Sequence, residues 1–273
     1  MIEIETKSIS SKNVNNIVKK IIIKQIIEKN LENIEIAEIG AGKGALAISI
    51  QKYLCDNSIK YNYDCFDIEP EQINNQKINI KCNYLDVQDL FNITKKYDII
   101  IAVEIIEHIE NPFHFIREIS KIIKINGVLI ITTPNILSLS SRFRYFFSGC
   151  YDYFRRPYNE YWLNMGHLNP INPIQLVYIL RKNGFKIRNV YSNRYILFNY
   201  FLIIFLPFIF FYSWFHFINR EKNIYQKKRN KELLKIIFNK NILFGKIGIY
   251  EIIKEKERIG SKENWHKSDN EFL

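Results

Sequence analysis

The stretch that decides the fold is Ile36-Ala37-Glu38-Ile39-Gly40-Ala41-Gly42-Lys43-Gly44, residues 36–44. Its first half is apolar enough for a buried strand, and glycine follows at positions 40, 42 and 44. Glycines at alternate positions let the backbone turn tightly and let a ligand approach the start of the next helix. The stretch therefore predicts a strand over 34–39, a ligand-binding loop, and a helix from about Ala45 to Leu54.

The acidic residue before this loop distinguishes between two kinds of cofactor that the loop could bind. The glycine spacing by itself also fits a dinucleotide-binding loop. Glu38, however, stands two residues before the first glycine. A carboxylate at that point suits a cofactor with a cationic amino-acid group and is poorly placed against a pyrophosphate.

Short apolar runs alternate with helical patterns on both sides of the loop, which predicts an α/β fold with a doubly wound parallel sheet. The other predicted strands are Tyr61–Asp67, Ile78–Cys82, Asp98–Val103, Val128–Thr133, Phe185–Tyr191 and Lys246–Lys254. The other predicted helices are Lys12–Lys29, Phe113–Lys124 with a stop at Asn126-Gly127, Pro173–Asn183 and Glu221–Asn239. Residues 138–164 read as a looser aromatic and basic stretch.

Four further segments follow the loop in a recognisable order: Cys65–Pro70, Tyr84–Val87, Val103–Ile109 and Leu129–Asn135. Together with the loop they resemble the class I methyltransferases. The similarity points to the branch containing the ubiquinone-biosynthesis O-methyltransferases and many bacterial surface-glycan methyltransferases. The resemblance implies a seven-stranded Rossmann-like sheet, an antiparallel last strand at Lys246–Lys254, and S-adenosylmethionine as cofactor. It disfavours an NAD-binding oxidoreductase and a binding protein with a degenerate pocket.

The resemblance also assigns cofactor contacts. Asp67 would hold both ribose hydroxyls, and Asp86 would accept a hydrogen bond from the exocyclic amine of adenine. The complete set of predicted cofactor-binding residues is Glu38, Gly40, Gly42, Gly44, Asp67, Ile68, Asp86, Val87 and Val103.

A second polar group follows the fourth strand. Glu104, Glu107 and His108 offer oxygen and nitrogen donors that can bind a divalent cation. In the resembling small-RNA 2′-O-methyltransferases and quinone O-methyltransferases this unit holds a metal, and His167 is a plausible counterpart of a later histidine in the RNA enzymes. We therefore predict that Glu104, Glu107, His108 and His167 are catalytic and that they are candidate ligands of Mg²⁺ or Mn²⁺. The alternatives are that these residues shape the pocket with His108 as general base, or that His108 only bonds backbone.

Residues 195–219 contain no Lys, Arg, Asp or Glu. The run is long enough to cross a bilayer once. A crossing would leave Lys246–Lys254 on the wrong side of the membrane, so we predict a re-entrant or in-plane insertion, broken near Pro207. The alternative is an apolar hairpin that packs on the protein or at a dimer interface.

The charge of +11 indicates an anionic partner. One basic cluster expected at anionic headgroups comprises Lys227, Lys228, Arg229, Lys231 and Lys235, and a second patch comprises Arg142, Arg144, Arg155 and Arg156. A nucleic-acid partner is disfavoured because base stacking requires no continuous apolar run. The four cysteines lack the paired spacing of a zinc knuckle or disulfide framework.

Three parts of the chain follow from these patterns. Residues 1–191 with 240–254 are expected to form the methyltransferase domain, 192–239 a membrane-interacting insertion, and 255–273 a polar tail. The acidic N-terminus lacks the order of a signal peptide, which favours the cytoplasm and the inner face of a membrane. The expected function is O-methylation of a lipid-linked glycan, a quinone-like ring or another amphipathic acceptor. The alternative is a soluble methyltransferase for a sugar or small metabolite, with the insertion as lid or dimer contact.

Overall fold

A seven-stranded sheet organises the computed structural model, which describes residues 12–29, 33–74, 80–89, 91–154 and 167–257. The strand order is β3-β2-β1-β4-β5-β7-β6, and β7 runs antiparallel to both of its neighbours while the pairs among β1 to β5 are parallel. This confirms the predicted doubly wound architecture and its antiparallel last strand. The strands are β1 Asn33–Ile39, β2 Lys60–Asp67, β3 Cys82–Tyr84, β4 Tyr97–Val103, β5 Ile123–Pro134, β6 Phe185–Ser192 and β7 Ile247–Lys254.

Helices cover both faces of the sheet. On one face α1 (Lys12–Lys29) and α2 (Ala45–Asp56) pack on strand residues such as Ile99. On the other, α4 (Pro112–Ile122) and α6 (Pro173–Lys182) pack on neighbours such as Ile100. Successive side chains of a strand point to opposite faces, so a strand buried on both sides needs an unbroken apolar run. The short helix α3 (Glu71–Asn74) follows β2 near the edge of the sheet.

Several predicted boundaries differ from the observed ones by a few residues, among them those of the helix expected at Glu221–Asn239, which spans Ile224–Ile237, and two further differences concern the sheet. The third strand was expected at Ile78–Cys82, but β3 begins at Cys82; residues 75–79 lie outside the described part of the chain. The helix expected to run to Lys124 ends at Ile122, because Ile123 already pairs with Tyr97 in the sheet. The left-handed Asn126, with φ of 62°, therefore lies in an irregularity within β5 and does not end a helix.

The aromatic and basic stretch after β5 is more regular than predicted. It contains α5 (Leu139–Ser148). The Ser138 hydroxyl accepts a hydrogen bond from the amide of Ser141, and Gly149, with φ of 67°, ends the helix in the left-handed conformation.

The insertion before β7 is helical throughout its apolar part. It consists of α7 (Phe198–Phe201), a 3₁₀ turn (Leu202–Phe205), α8 (Leu206–Trp214) and a π turn (Phe215–Asn219). We call the whole run Phe198–Asn219 the apolar helix. Near the predicted break at Pro207 the α-helix is interrupted by the 3₁₀ turn, but the helical run continues. Pro207 lies in the first turn of α8, where a missing backbone N–H is tolerated. The basic helix α9 (Ile224–Ile237) and α10 (Lys240–Leu243) then lead into β7.

Candidate active site

A cavity of about 690 Å³ lies at the carboxyl ends of β1, β2 and β4. Ligands bind at this edge in doubly wound sheets. Eleven of the thirteen predicted site residues line it: Glu38, Gly40, Gly42, Asp67, Ile68, Asp86, Val87, Val103, Glu104, His108 and His167. The other two have different positions, since Gly44 precedes the first turn of α2 and Glu107 is fully buried.

The glycine loop lies tightly against the chain that follows β4. Gly40 has φ of 73°, and a β-carbon on it would lie 2.0 Å from Cδ1 of Ile105. The amide of Gly40 donates a hydrogen bond of 2.8 Å to the carbonyl of Phe66 at the end of β2. Both the dihedral angle and the close approach therefore require glycine at this position.

Asp67 holds the loop in place from the end of β2. One carboxylate oxygen accepts from the amide of Gly42 at 2.7 Å, and the other accepts from the amide of Glu69 at 3.0 Å. Each oxygen can accept a further hydrogen bond, so the predicted contact with ribose is compatible with this role. Asp86 is placed similarly, because its carboxylate accepts from the amide of Gln88 at 2.9 Å while its side chain borders the cavity.

Glu38 is a buried carboxylate at the cavity wall. Only 3% of the residue is exposed, and the Tyr63 hydroxyl donates to it at 2.7 Å. Burial raises the pKa of Glu38 to about 7, the hydrogen bond from Tyr63 opposes this, and the Asp67 carboxylate adds to it. A cationic group beside Glu38 would favour the ionised form and relieve this cost. The residue therefore fits the amino group of a methionine moiety and would repel a pyrophosphate.

Glu104 directly follows the last residue of β4 and has a strained backbone conformation. It is a non-glycine residue with φ of 53°, and its amide donates to the Thr132 hydroxyl at 2.9 Å. Burial raises the pKa of Glu104, and the Lys246 ammonium lowers it. Lys246 also lies 5.0 Å from the centre of the Tyr153 ring, which borders the cavity. Strain at a strand end inside a cavity is typical of a functional position.

Glu107, His108 and His167 form a second cluster beside Glu104. One potential ligand atom from each lies within 4.8 Å of the other two. The loop carrying His167 is held there because the amides of Leu168 and Asn169 both donate to the carbonyl of Glu107 at 2.9 Å. Within the described residues this group of three does not include Glu104, so the structure brings together three of the four predicted metal ligands.

The charges in this cluster are suited to binding a cation or holding a proton. Both carboxylate oxygens of Glu107 are buried, and neither has a hydrogen bond of normal geometry among the described residues. Burial raises the pKa of Glu107 to about 8. The nearby backbone amide of Glu107 lowers this pKa, the Glu104 carboxylate raises it, and the Thr133 hydroxyl lowers it. Burial lowers the pKa of His167, as does the neighbouring His108 ring, whose centre is 4.9 Å away. His167 is therefore neutral near pH 7 and can serve as a ligand or a hydrogen-bond partner.

Known protein families include one that matches most of this chain. Residues 14–190 match the family model described as a methyltransferase domain. The chain belongs to this methyltransferase family. Its fold, the order of its motifs and its glycine loop are those of the class I enzymes that depend on S-adenosylmethionine, so the dinucleotide-binding alternative is excluded.

Relatives with similar sequences include O-methyltransferases. The chain is 35% identical over 126 residues to the ubiquinone biosynthesis O-methyltransferase of Rickettsia typhi, covering 41% of this chain and 48% of that one. It is 31% identical over 121 residues to the enzyme of that name from Pelagibacter ubique, covering 44% and 50% of the two chains. The methyltransferase thus spans about half the length of the curated relatives it matches.

A solved structure shares the fold. The plantazolicin methyltransferase BamL, in complex with triazolic desmethylPZN analog and SAH, superposes with a TM-score of 0.51 at 13% identity. The match covers 90% of this chain and 86% of that one.

Several cavity residues of the methyltransferase were missed from sequence. Asn15 comes from α1, Ile105 follows Glu104, Tyr153 follows α5, and Ile247 begins β7. Lys246 was also missed as a partner of Glu104, although it is the first residue of the predicted last strand. The available signal in the sequence was a lysine at the start of the last strand. Only the strand order shows that this start lies beside the carboxyl end of β5, at the edge of the sheet that carries the cavity.

Replacing Lys246 by methionine is expected to move the acidic limb of the pH–rate profile toward higher pH. Lys246 favours the ionised form of Glu104, so its removal raises the pKa of that carboxyl group, which burial has already raised. The profile is measured as transfer of the radiolabelled methyl group of S-adenosylmethionine into a total cell extract over a series of pH values. Lys246→Arg retains the positive charge and should restore the wild-type profile. An unchanged profile in Lys246→Met would show that ionised Glu104 does not control the rate.

Proposed function

We propose that this methyltransferase transfers a methyl group from S-adenosylmethionine to a hydroxyl oxygen of an amphipathic acceptor at the cytoplasmic face of a membrane. The acceptor classes that we favour are a lipid-linked glycan and a quinone-like ring. One observation carries the proposal: the cofactor residues Glu38 and Asp67 share a single cavity with Glu104, His108 and His167. Direct methyl transfer needs donor and acceptor in contact, and a shared cavity permits this.

The chain has two tasks in this reaction. S-adenosylmethionine, when bound, supplies a methyl group that is already activated as a sulfonium. The glycine loop, Glu38 and Asp67 would hold the cofactor, and the residues after β4 would orient the acceptor hydroxyl. As the new oxygen–carbon bond forms and the sulfur–carbon bond breaks, the hydroxyl proton must leave. His108 is the base that we favour, because it is the nearest imidazole on the chain to Glu104 and borders the cavity.

The relatives support oxygen as the methylated atom. Those from Rickettsia typhi and Pelagibacter ubique are named ubiquinone biosynthesis O-methyltransferases. The family match over residues 14–190 includes most of the residues that line this cavity. The membrane location is supported by the exposed apolar helix, which is the one helix among the described residues that is long and apolar enough to cross a membrane.

The experiment compares lipid and glycan extracts of cells with and without the gene by mass spectrometry. A species heavier by one CH₂ that disappears with the gene would identify the acceptor. If the only shifted species is a water-soluble sugar or metabolite, the soluble alternative replaces the proposal, with the apolar helix as lid or dimer contact. Absence of any shifted species, together with no affinity for S-adenosylhomocysteine, would contradict methyl transfer.

As the alternative to His108 acting as a base, we propose a divalent cation at Glu107, His108 and His167. The residues fit such an ion, because a fully buried carboxylate without a hydrogen bond of normal geometry among the described residues stands beside two imidazoles. Two nitrogen donors and one oxygen donor suit Mn²⁺ better than Mg²⁺, which prefers oxygen alone. Such an ion would bind adjacent acceptor oxygens and lower the pKa of a hydroxyl.

Thermal unfolding of Glu107→Gln tests this cation. The folded pKa of Glu107, about 8, lies above its ordinary 4.5, so the ionised side chain destabilises the metal-free protein increasingly as pH rises between those values. The variant should therefore melt a few degrees higher than wild type at neutral pH without metal. Added MnCl₂ should stabilise wild type and Glu104→Gln, which lies outside the cluster, but not Glu107→Gln. Equal shifts in all three proteins would remove the metal proposal.

A further inference from the structure

The insertion leaves the sheet and returns to it at one place. Tyr195 forms an isolated antiparallel bridge with Gly245. On either side of this bridge, the amide of Ile196 donates to the carbonyl of Phe244 at 2.8 Å, and the amide of Lys246 donates to the carbonyl of Arg194 at 3.0 Å. The apolar helix is therefore part of a closed excursion from the domain.

Both ends of the apolar helix are fixed to the protein. Near the N-terminal end Asn199 is fully buried, and its side chain accepts from the amide of Ser140 at 2.6 Å and donates to the carbonyl of Phe244 at 3.0 Å. Leu202 packs with Leu139 and Leu243. At the other end Ile218 packs with Leu234 and Ile237 of α9. Since Leu202 and Ile218 are about 24 Å apart along a helix, the axis lies along the protein surface and does not project from it.

The outward face of this helix is as apolar as the inward face. The most exposed side chains recur at helical spacing and belong to Phe201, Ile204, Phe208, Phe211 and Tyr212, each at least 66% exposed. A helix that rests on a soluble protein normally turns polar residues outward. In the most apolar 18-residue stretch of this helix, only 11% is buried inside the protein. The exposed face therefore requires an apolar partner.

The composition around the face identifies that partner as a bilayer with anionic lipids. Residues 220–240, directly after the apolar helix, contain eight Lys or Arg and only two Glu. Trp214 and Tyr212 are of the types enriched at membrane interfaces, and both are exposed. Basic side chains next to an apolar surface bind anionic headgroups while the surface enters the acyl boundary.

The apolar surface continues from the helix toward the candidate active site. The Phe143 ring of α5 lies 6.0 Å from that of Phe198, and Phe146 beside it is 81% exposed. After α5 the chain turns at 151–154, where Phe154 lies 5.3 Å from the His167 ring, measured between ring centres. The acceptor end of the cavity therefore adjoins this face.

From these contacts we infer that the apolar helix and α5 form one docking face that lies in the plane of an anionic bilayer, without crossing it, and that this face holds the acceptor side of the cavity at the lipid surface. The docking geometry stands independently of the chemistry. Its link to the acceptor rests on the proposed function.

Tryptophan depth measurements on the full chain test this orientation. Single tryptophans are introduced by Phe201→Trp, Phe208→Trp or Phe215→Trp in a background of Trp162→Phe, Trp214→Phe and Trp265→Phe; Trp162 and Trp265 lie outside the described residues. Vesicles of phosphatidylcholine and phosphatidylglycerol carry bromine at defined acyl positions. An in-plane helix should place all three tryptophans at one shallow depth. A crossing would place position 208 deeper than the ends by about 10 Å, which would overturn the inference.

The role of charge is measured by sedimentation with the same vesicles. Lys231→Gln and Lys235→Gln should each weaken binding about fivefold, as expected for a loss of about 1 kcal/mol per basic residue. Lys20→Gln on α1 and Lys52→Gln on α2 are matched exposed controls and should leave binding unchanged. If vesicles do not bind and Phe208→Ser converts a dimer to a monomer, the face is a protein interface and the inference fails. None of these readouts requires methyl transfer, whereas calorimetry with S-adenosylhomocysteine tests the cofactor site separately.

Discussion

Replacing Asp67 by alanine is expected to lower the affinity for S-adenosylhomocysteine by about two orders of magnitude. The carboxylate accepts hydrogen bonds from the amides of Gly42 and Glu69, and so fixes the glycine loop against β2. Loss of a hydrogen bond to a charged group costs about 1.5–3 kcal/mol, and about 1.4 kcal/mol corresponds to a factor of ten in affinity. Alanine would remove the contacts to both amides and the proposed contact to ribose. Isothermal titration calorimetry measures the effect directly.

The replacement Asp67→Asn distinguishes the contacts of Asp67 with the loop amides from its proposed contact with the ligand. Asparagine retains one acceptor oxygen but presents an NH₂ group where the carboxylate has its second oxygen. We therefore expect an affinity between those of wild type and Asp67→Ala. Asp64→Ala is a matched control on the same strand, because Asp64 bonds Lys95 and Tyr97 and does not border the cavity. If Asp64→Ala and Asp67→Ala weaken binding equally, the effect comes from β2 as a whole and our assignment of Asp67 is wrong.

The order of strands and helices could be predicted because local patterns specify it. Strands buried on both faces need continuous apolar runs, and β4 with Ile99, Ile100 and Ile101 is such a run. The boundaries that failed depend on tertiary pairing. Asn126-Gly127 is a good local stop for a helix, yet pairing of Ile123 with Tyr97 starts the strand earlier. A residue that can adopt positive φ serves a bulge as well as a helix end, and sequence does not distinguish the two.

The cofactor half of the site was more predictable than the acceptor half. Glu38 and Asp67 lie near the carboxyl ends of β1 and β2, and Asp86 follows β3, so the order of the strands is enough to place all three at the carboxyl edge of the sheet. Tyr153 reaches the cavity only through the path of the chain after α5. Lys246 reaches the Tyr153 ring and influences Glu104 only because β7 lies beside β5. The acceptor side is therefore assembled by long-range topology, which a single sequence does not display.

The position of Pro207 in its helix is another feature that local sequence does not determine. Proline interrupts a helix that needs its N–H, and this led to the predicted break. In the structure a 3₁₀ turn ends just before Leu206, and Pro207 falls in the first turn of α8, where no N–H is required. The apolar helix consequently remains continuous, and the in-plane orientation rests on how its ends are fixed.

Replacing His108 by alanine is expected to lower the rate of methyl transfer by about 10²–10⁴, the range typical of a lost general base. His108 borders the cavity on the turn after Glu104, and its ring meets the ring of His167 edge-on at 4.9 Å. Affinity for S-adenosylhomocysteine should stay within about twofold of wild type, since the loss falls in the transition state and not in cofactor binding. Radiolabelled methyl transfer into a total cell extract and calorimetry on the same preparation provide the two readouts.

His114→Ala is the matched control, because His114 lies on α4 and bonds the carbonyl of Asp89 outside the cavity. Its transfer rate should equal that of wild type. The double variant His108→Ala/His167→Ala then separates the two chemical roles. If both imidazoles hold one cation, either single loss already empties the site and the double variant is no slower than the slower single variant. If His108 acts as a base by itself, the effect of His167→Ala is smaller and adds to that of His108→Ala. A wild-type rate in His108→Ala would exclude both roles and leave deprotonation to Glu104.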